Sequence, residues 1–164
     1  MRKTVRIAAG VAAAVAVVAF GISCGGENSV TAPTAKMYTA TLFPTNEVPP
    51  TTSAGTGVAV FVDNTTQIDW TLTLDGITAV TMSHIHGPGL PNVSVGVLFN
   101  LYIPAAATGD LHNFTTSGTI TNTTNAAVSL DSLRTLFNNG RAYVNVHTTP
   151  LPAGAIRGQV VRTN

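Results

Sequence analysis

Three of the chain's four histidines sit in two short segments, Ser83-His84-Ile85-His86-Gly87-Pro88-Gly89 and Tyr143-Val144-Asn145-Val146-His147-Thr148. An extended strand repeats its side-chain direction every second residue. His84 and His86 therefore share one side of one strand, and Tyr143, Asn145 and His147 share one side of another. If those sides adjoin, three imidazoles meet. Neutral imidazole is a ligand for copper, zinc, nickel or iron, and the backbone holds a His-x-His pair at fixed spacing, so His84, His86 and His147 are candidate metal ligands. A second reading uses the same residues without metal. His84, His86 and His147, with Tyr143 and Asn145, form a neutral hydrogen-bonded network that fixes strand pairing. Arg157 belongs to the same group of candidates and calls for a partner such as Glu47 or Asp110.

The elements that must position these groups read as strands. Ile68, Trp70, Leu72 and Leu74 alternate with Asp69, Thr71, Thr73 and Asp75, the period-two pattern of a half-buried strand. Tyr38 to Phe43 and Val58 to Asp63 alternate in the same way. Asp63-Asn64 and Asp75-Gly76 are turn signals, so the second and third strands form an antiparallel hairpin. Further strands are expected at Ala79–His86, Val93–Leu98, Phe114–Ile120, Ala142–Thr148 and Ile156–Arg162. Only Ser129–Phe137 looks helical, with Ser129 as its cap and Leu130, Leu133, Leu136 and Phe137 as its apolar side. Many short alternating strands and one short helix predict an all-β fold: an antiparallel sandwich or flattened barrel, immunoglobulin-like or similar to copper/zinc superoxide dismutase. Pro49 and Pro50 mark a rigid edge turn.

The N-terminal residues read as an export signal covering 1–23. Arg2, Lys3 and Arg6 precede the uncharged stretch Ile7 to Phe20, which is shorter than the roughly 20 apolar residues of a membrane-spanning helix. A small residue then precedes Cys24, the chain's single cysteine. The arrangement looks like a bacterial lipoprotein signal, making Cys24 the lipidation site and implying a lipid anchor to the membrane. Its residue −3, Gly21, departs from the bulky aliphatic usual there. Residues 24–35, rich in Gly, Ser, Thr, Ala and Pro, read as a tether. A lipoprotein of this kind is expected in the bacterial cell envelope, at the outer membrane or cell surface. Without the three basic signal residues, five basic residues face seven acidic ones. No basic stripe remains, so nucleic-acid binding is not expected. With one cysteine, no internal disulfide forms and the domain relies on its apolar core.

Glu47-Val48-Pro49-Pro50, Leu74-Asp75-Gly76-Ile77, His84-Ile85-His86-Gly87, Tyr143-Val144-Asn145-Val146-His147-Thr148 and Pro152-Ala153-Gly154-Ala155-Ile156-Arg157-Gly158-Gln159-Val160 occur in that order. In these motifs the chain resembles the CHRD domain, named for its occurrence in chordin and found in exported bacterial proteins. The resemblance covers residues 36–163. It implies an extracellular all-β domain with no established enzymatic activity, whose partner would be an envelope or extracellular protein or a matrix component. The family commonly has Glu where this chain has Ala155, so a carboxylate near the histidine segments is missing from that position. Leu90-Pro91-Asn92-Val93 also replaces a more Gly-rich loop. The resemblance carries no cofactor; copper or zinc enters only through the three histidines. His112 remains as a surface-loop residue.

Overall fold

In a computed structural model of the chain, residues 35–124 and 127–164 are described. The expected export signal, Cys24 and all but the last residue of the expected tether lie outside them. Nine strands, one α-helix and a single 3₁₀ turn at Pro44–Asn46 make up the described part. In chain order they are β1 (Lys36–Leu42), β2 (Thr56–Asp63), β3 (Ile68–Asp75), β4 (Val80–His86), β5 (Val97–Tyr102), β6 (Phe114–Ile120), α1 (Leu130–Asn138), β7 (Tyr143–Thr148), β8 (Ile156–Gln159) and β9 (Val161–Arg162).

These strands form two antiparallel sheets, one ordered β6-β3-β2-β1-β9 and the other β5-β4-β7-β8. The fold is thus an all-β sandwich, not a closed barrel. β2 and β3 pair in the expected hairpin register, with Phe61 opposite Trp70 and Ala59 opposite Leu72. The chain changes sheets between β8 and β9 at Val160, where the sequence pattern suggested one continuous strand. On that side, Phe43 and Arg157 exchange backbone hydrogen bonds of 3.0 and 3.2 Å, which ties the end of β1 to the edge strand β8. The Pro-rich segment after β1 continues this cover. Asn46 Nδ2 donates to Arg157 O and Thr51 Oγ1 donates to Ala155 O. An edge strand that would otherwise offer unpaired backbone groups is thereby closed.

The inward face of the five-stranded sheet contributes Tyr38, Ala40, Leu42, Ala59, Phe61, Ile68, Trp70, Leu72 and Leu74. Ile85, Val144, Val146 and Ile156 meet them from the four-stranded sheet. The sheets approach closely at Gly158, where a Cβ would run into the backbone carbonyl of Thr41. Helix α1 closes one end of the sandwich. Ser129 caps it by accepting a hydrogen bond from Ser132 N at 3.1 Å, and Phe137 packs against Tyr38 and Phe61 with ring centroids 5.3 and 4.9 Å away. Its Arg134 reaches back to buried Asp63 at 3.0 Å, an ion pair the period-two reading of β2 does not reveal.

The fifth strand departs most from expectation. It runs from Val97 to Tyr102, not Val93 to Leu98. Val93 and Val95 give their carbonyls to side chains of the neighbouring sheet instead of to a strand ladder. Polar satisfaction of that sheet overrides the local apolar pattern.

Candidate metal centre

The outward face of the four-stranded sheet is polar and buried. β7 is buried along its whole length, because the core covers one side and loops cover the other. Register decides which groups meet: His86 lies opposite Tyr143, His84 opposite Asn145, and Met82 opposite His147. β8 extends the rows, placing Gln159 beside Tyr143 and Arg157 beside Asn145. The histidine segments identified from spacing therefore do share one face. His84, His86 and His147 are each 6 to 7% exposed, and one nitrogen from each lies within 4.8 Å of the other two.

Hydrogen bonds select the tautomers. His86 Nδ1 donates to Val95 O at 2.8 Å and His147 Nδ1 donates to Pro152 O at 3.0 Å, since a carbonyl accepts only. Both leave Nε2 as a lone pair, and His86 Nε2 is buried without a partner. His84 Nδ1 lies 3.2 Å from His147 Nε2. Ring nitrogens around a tetrahedral ion with metal–nitrogen bonds of about 2.0–2.1 Å lie about 3.3 Å apart, so this pair already has the spacing of two ligands. His84 Nδ1–H donates to His147 Nε2; were a metal held here, His84 would carry its proton on Nε2 and offer Nδ1 instead. Ligand histidines typically give their other N–H to a carbonyl or carboxylate, which orients the ring. Val95 O and Pro152 O do this for two of the three.

Electrostatics favour the neutral form. Burial pushes His84 down to about 4, with smaller effects from His147 and His86. It also lowers His86 and His147, against opposing hydrogen bonds to Val95 and Pro152. A metal would meet no competing protons near neutral pH.

Aromatic and cationic groups hold the ring of His86. Tyr143 stacks on it with centroids 4.8 Å apart and planes 2° from parallel, and the Arg157 guanidinium lies 3.5 Å above the Tyr143 ring, a cation–π distance. Tyr143 Oη accepts from Val95 N at 3.1 Å. Arg157 finds no carboxylate within ion-pair distance among the described residues. Its Nη2 donates to Leu90 O and Val93 O at 3.1 and 2.9 Å, so the expected pair with Glu47 or Asp110 gives way to carbonyl fastening of the Gly87–Gly96 loop. Gln159 Nε2 adds a bond to Gly89 O. Asp110 is exposed. His112 is also exposed, 3.5 Å from Asp75, and takes no part in the cluster.

Ala155 is fully buried, and the carboxyl of this face comes from elsewhere. Glu47, 7% exposed, reaches Asn145 across Gly154, where a Cβ would sit 2.6 Å from both Glu47 Oε1 and Asn145 Nδ2. Gly154 also has φ +143°, so both space and backbone require glycine there. Burial raises Glu47 to about 7, against opposing effects of Arg157 and Asn145. Glu47 Oε1 and Asn145 Oδ1 are both buried acceptors without donors; a proton on Glu47 supplies one. A 390 Å³ cleft lined by Glu47, Val48, Pro50, Pro91, Arg157 and Gln159 opens beside this carboxyl, and no histidine lines it.

Spacing alone left Val95, Pro152 and Met82 out of the site. The two carbonyls carry no side-chain signal, whereas Met82 stands two residues before His84 and its spacing could have marked it. No curated protein matches the chain. The CHRD domain profile matches residues 38–160, which takes in both histidine strands, the Glu47 segment and Arg157, and by that match the chain belongs to the CHRD domain family.

Proposed function

We propose that this chain is a non-enzymatic β domain of the bacterial cell envelope, exported and anchored through acylated Cys24, that binds one copper or zinc ion through His84, His86 and His147. The observation that carries the reading is the convergence of three buried imidazole nitrogens within 4.8 Å, two of them aimed by carbonyls on the far side of the ring. An orphaned Nε2 on His86 supports it further, because a buried nitrogen without a partner costs stability that a ligand would recover. A contact role toward an envelope or extracellular protein or a matrix component follows from the family resemblance alone. The imidazole cluster has defined chemistry, so metal binding takes precedence.

The hydrogen bond between His84 and His147 favours a second reading, in which the cluster is a metal-free network joining β4 to β7. Metal analysis after loading with copper or zinc separates the two. The wild-type protein, carrying no histidine tag, should retain one ion per chain, and the His84→Ala/His86→Ala double variant should retain none. Substoichiometric metal in the wild type, or equal metal in both, leaves the network reading standing. Mass spectrometry of the mature N-terminus tests the anchor: a diacylglyceryl-modified Cys24 is expected, and an unmodified one refutes it.

A further inference from the structure

The pairing of β4 with β7 slips by one residue between Val80 and Met82: Val80 lies opposite Thr148, but Met82 lies opposite His147. Val80 belongs to the apolar core. Unbroken alternation from Val80 would send Met82, His84 and His86 into that core as well. The extra residue reverses the parity, so one irregularity delivers all three to the polar face. Met82 thereby becomes the direct cross-strand neighbour of His147 and the same-face neighbour of His84. Residues opposed across an antiparallel pair have Cβ atoms about 4.5–5.5 Å apart, and an unbranched methionine with three rotatable bonds adapts its thioether to what stands beside it. Met82 is 37% exposed, at the solvent rim of three imidazoles that are nearly closed off.

Charge is the second observation. No Asp or Glu among the described residues joins the three-histidine group, and the donors are neutral imidazoles. A buried cation, the Arg157 guanidinium, is stacked through Tyr143 onto His86. The cost of a buried charge grows with its square in the Born description, so such a site penalises a divalent ion much more than a monovalent one. Thioether sulfur is a soft ligand that selects Cu(I), while imidazole accepts copper and zinc alike.

We propose that the site is built for monovalent copper, with Met82 as a fourth, thioether ligand beside His84, His86 and His147. This rests on the metal-binding reading above and assigns its ion. The test is anaerobic competition for Cu(I) against bicinchoninate, and for Zn(II) against a chromophoric chelator, in the wild type, Met82→Leu and His86→Ala, with X-ray absorption of the Cu(I)-loaded wild type. Cu(I) is expected to bind more tightly than Zn(II), with a sulfur scatterer in the copper shell. Met82→Leu, a volume-conserving change at an exposed position, weakens Cu(I) by about tenfold or more, at least what loss of an outer-shell partner costs, and leaves Zn(II) affinity unchanged. A wild type that prefers Zn(II), a copper shell without sulfur, or equal Cu(I) affinity in Met82→Leu each overturns the assignment of ion and ligand while leaving a three-histidine centre intact. Failure of the wild type to bind either ion, or binding unaffected by His86→Ala, removes the centre itself. The sulfur measurement on the wild type does not depend on how any variant folds.

Discussion

The two faces of the four-stranded sheet solve the same problem by opposite means. On the inward face Ile85, Val144, Val146 and Ile156 are buried against apolar residues of the other sheet, and shape is most of what must be matched. On the outward face His84, His86, Asn145, His147 and Arg157 are buried almost as deeply, under loops that must supply a hydrogen-bond partner for each polar atom. The inward face is satisfied mainly by contact, although Ser83 Oγ is buried there opposite Val146 without a partner. The outward face still holds buried atoms without partners, including His86 Nε2, Asn145 Oδ1, Glu47 Oε1 and Arg157 Nη1. Buried polar groups left unpaired are costly, so a fold that gathers several of them beside a cluster of imidazoles marks a candidate functional face.

Perturbing each face in turn should expose the difference. The largest effect is expected inside: Ile85→Ala, at a fully buried position, should cost about 2–5 kcal/mol by denaturant unfolding, with no change in the pH dependence of stability. A loss below 1 kcal/mol would mean that the inward face is not close-packed.

The outward face should respond to acid. The imidazole of His84 is held at about 4 in the folded state and titrates near 6.5 when unfolded. The unfolded chain therefore binds more protons between those values, and the metal-free protein loses stability as pH falls from about 6.5 to about 4, by on the order of 3 kcal/mol. His86 and His147 act in the same direction. Chemical denaturation at several pH values checks this, and His84→Ala should flatten the slope. An unchanged slope in that variant would place the acid sensitivity elsewhere.

Glu47 should act with the opposite sign. Its folded value is raised to about 7 from an ordinary carboxyl near 4.5, so the folded chain holds the proton longer. Stability is then lost as pH rises from about 4.5 to about 7, by an amount comparable to that of His84. Glu47→Gln keeps a donor toward Asn145 and should be more stable than the wild type above pH 7 but not below pH 4.5. Identical stability of the two proteins above pH 7 would show that the carboxylate is not held in a buried, neutral form. The smallest effect belongs to Tyr143→Phe, which keeps the ring between Arg157 and His86 while removing the hydroxyl that accepts from Val95 N. About 1 kcal/mol is expected in the same unfolding assay, and a loss as large as that of Ile85→Ala would mean that the hydroxyl, not the ring stack, holds the loop.

Much of the inward face was legible from alternation. Ile68, Trp70, Leu72 and Leu74 predict their strand, its buried side and its hairpin turn because a strand's side-chain period is a local property. The outward face was legible as a set of residues but not as an arrangement. His84, His86, Tyr143, Asn145 and His147 were recognisable from spacing two. Their common burial depends on the register of β4 against β7, which no short window contains. Val93–Gly96 reads as strand locally and becomes a loop because the sheet's side chains claim its carbonyls. Arg157 suggests an acid partner by its charge and takes two carbonyls because the loop, not Glu47, lies within its reach. The slip between Val80 and Met82 was invisible, since no glycine or proline there announces it.

By itself, then, the sequence determined the strand pattern, the family motifs and the identity of three imidazoles with metal-ligand chemistry, because each is written in neighbouring residues. The tertiary structure alone decided that those imidazoles converge, which of their nitrogens are free, that Met82 stands opposite His147 and that Glu47 is buried beside Asn145. All four depend on which strands and loops come together, and long-range pairing and burial set that, not local preference.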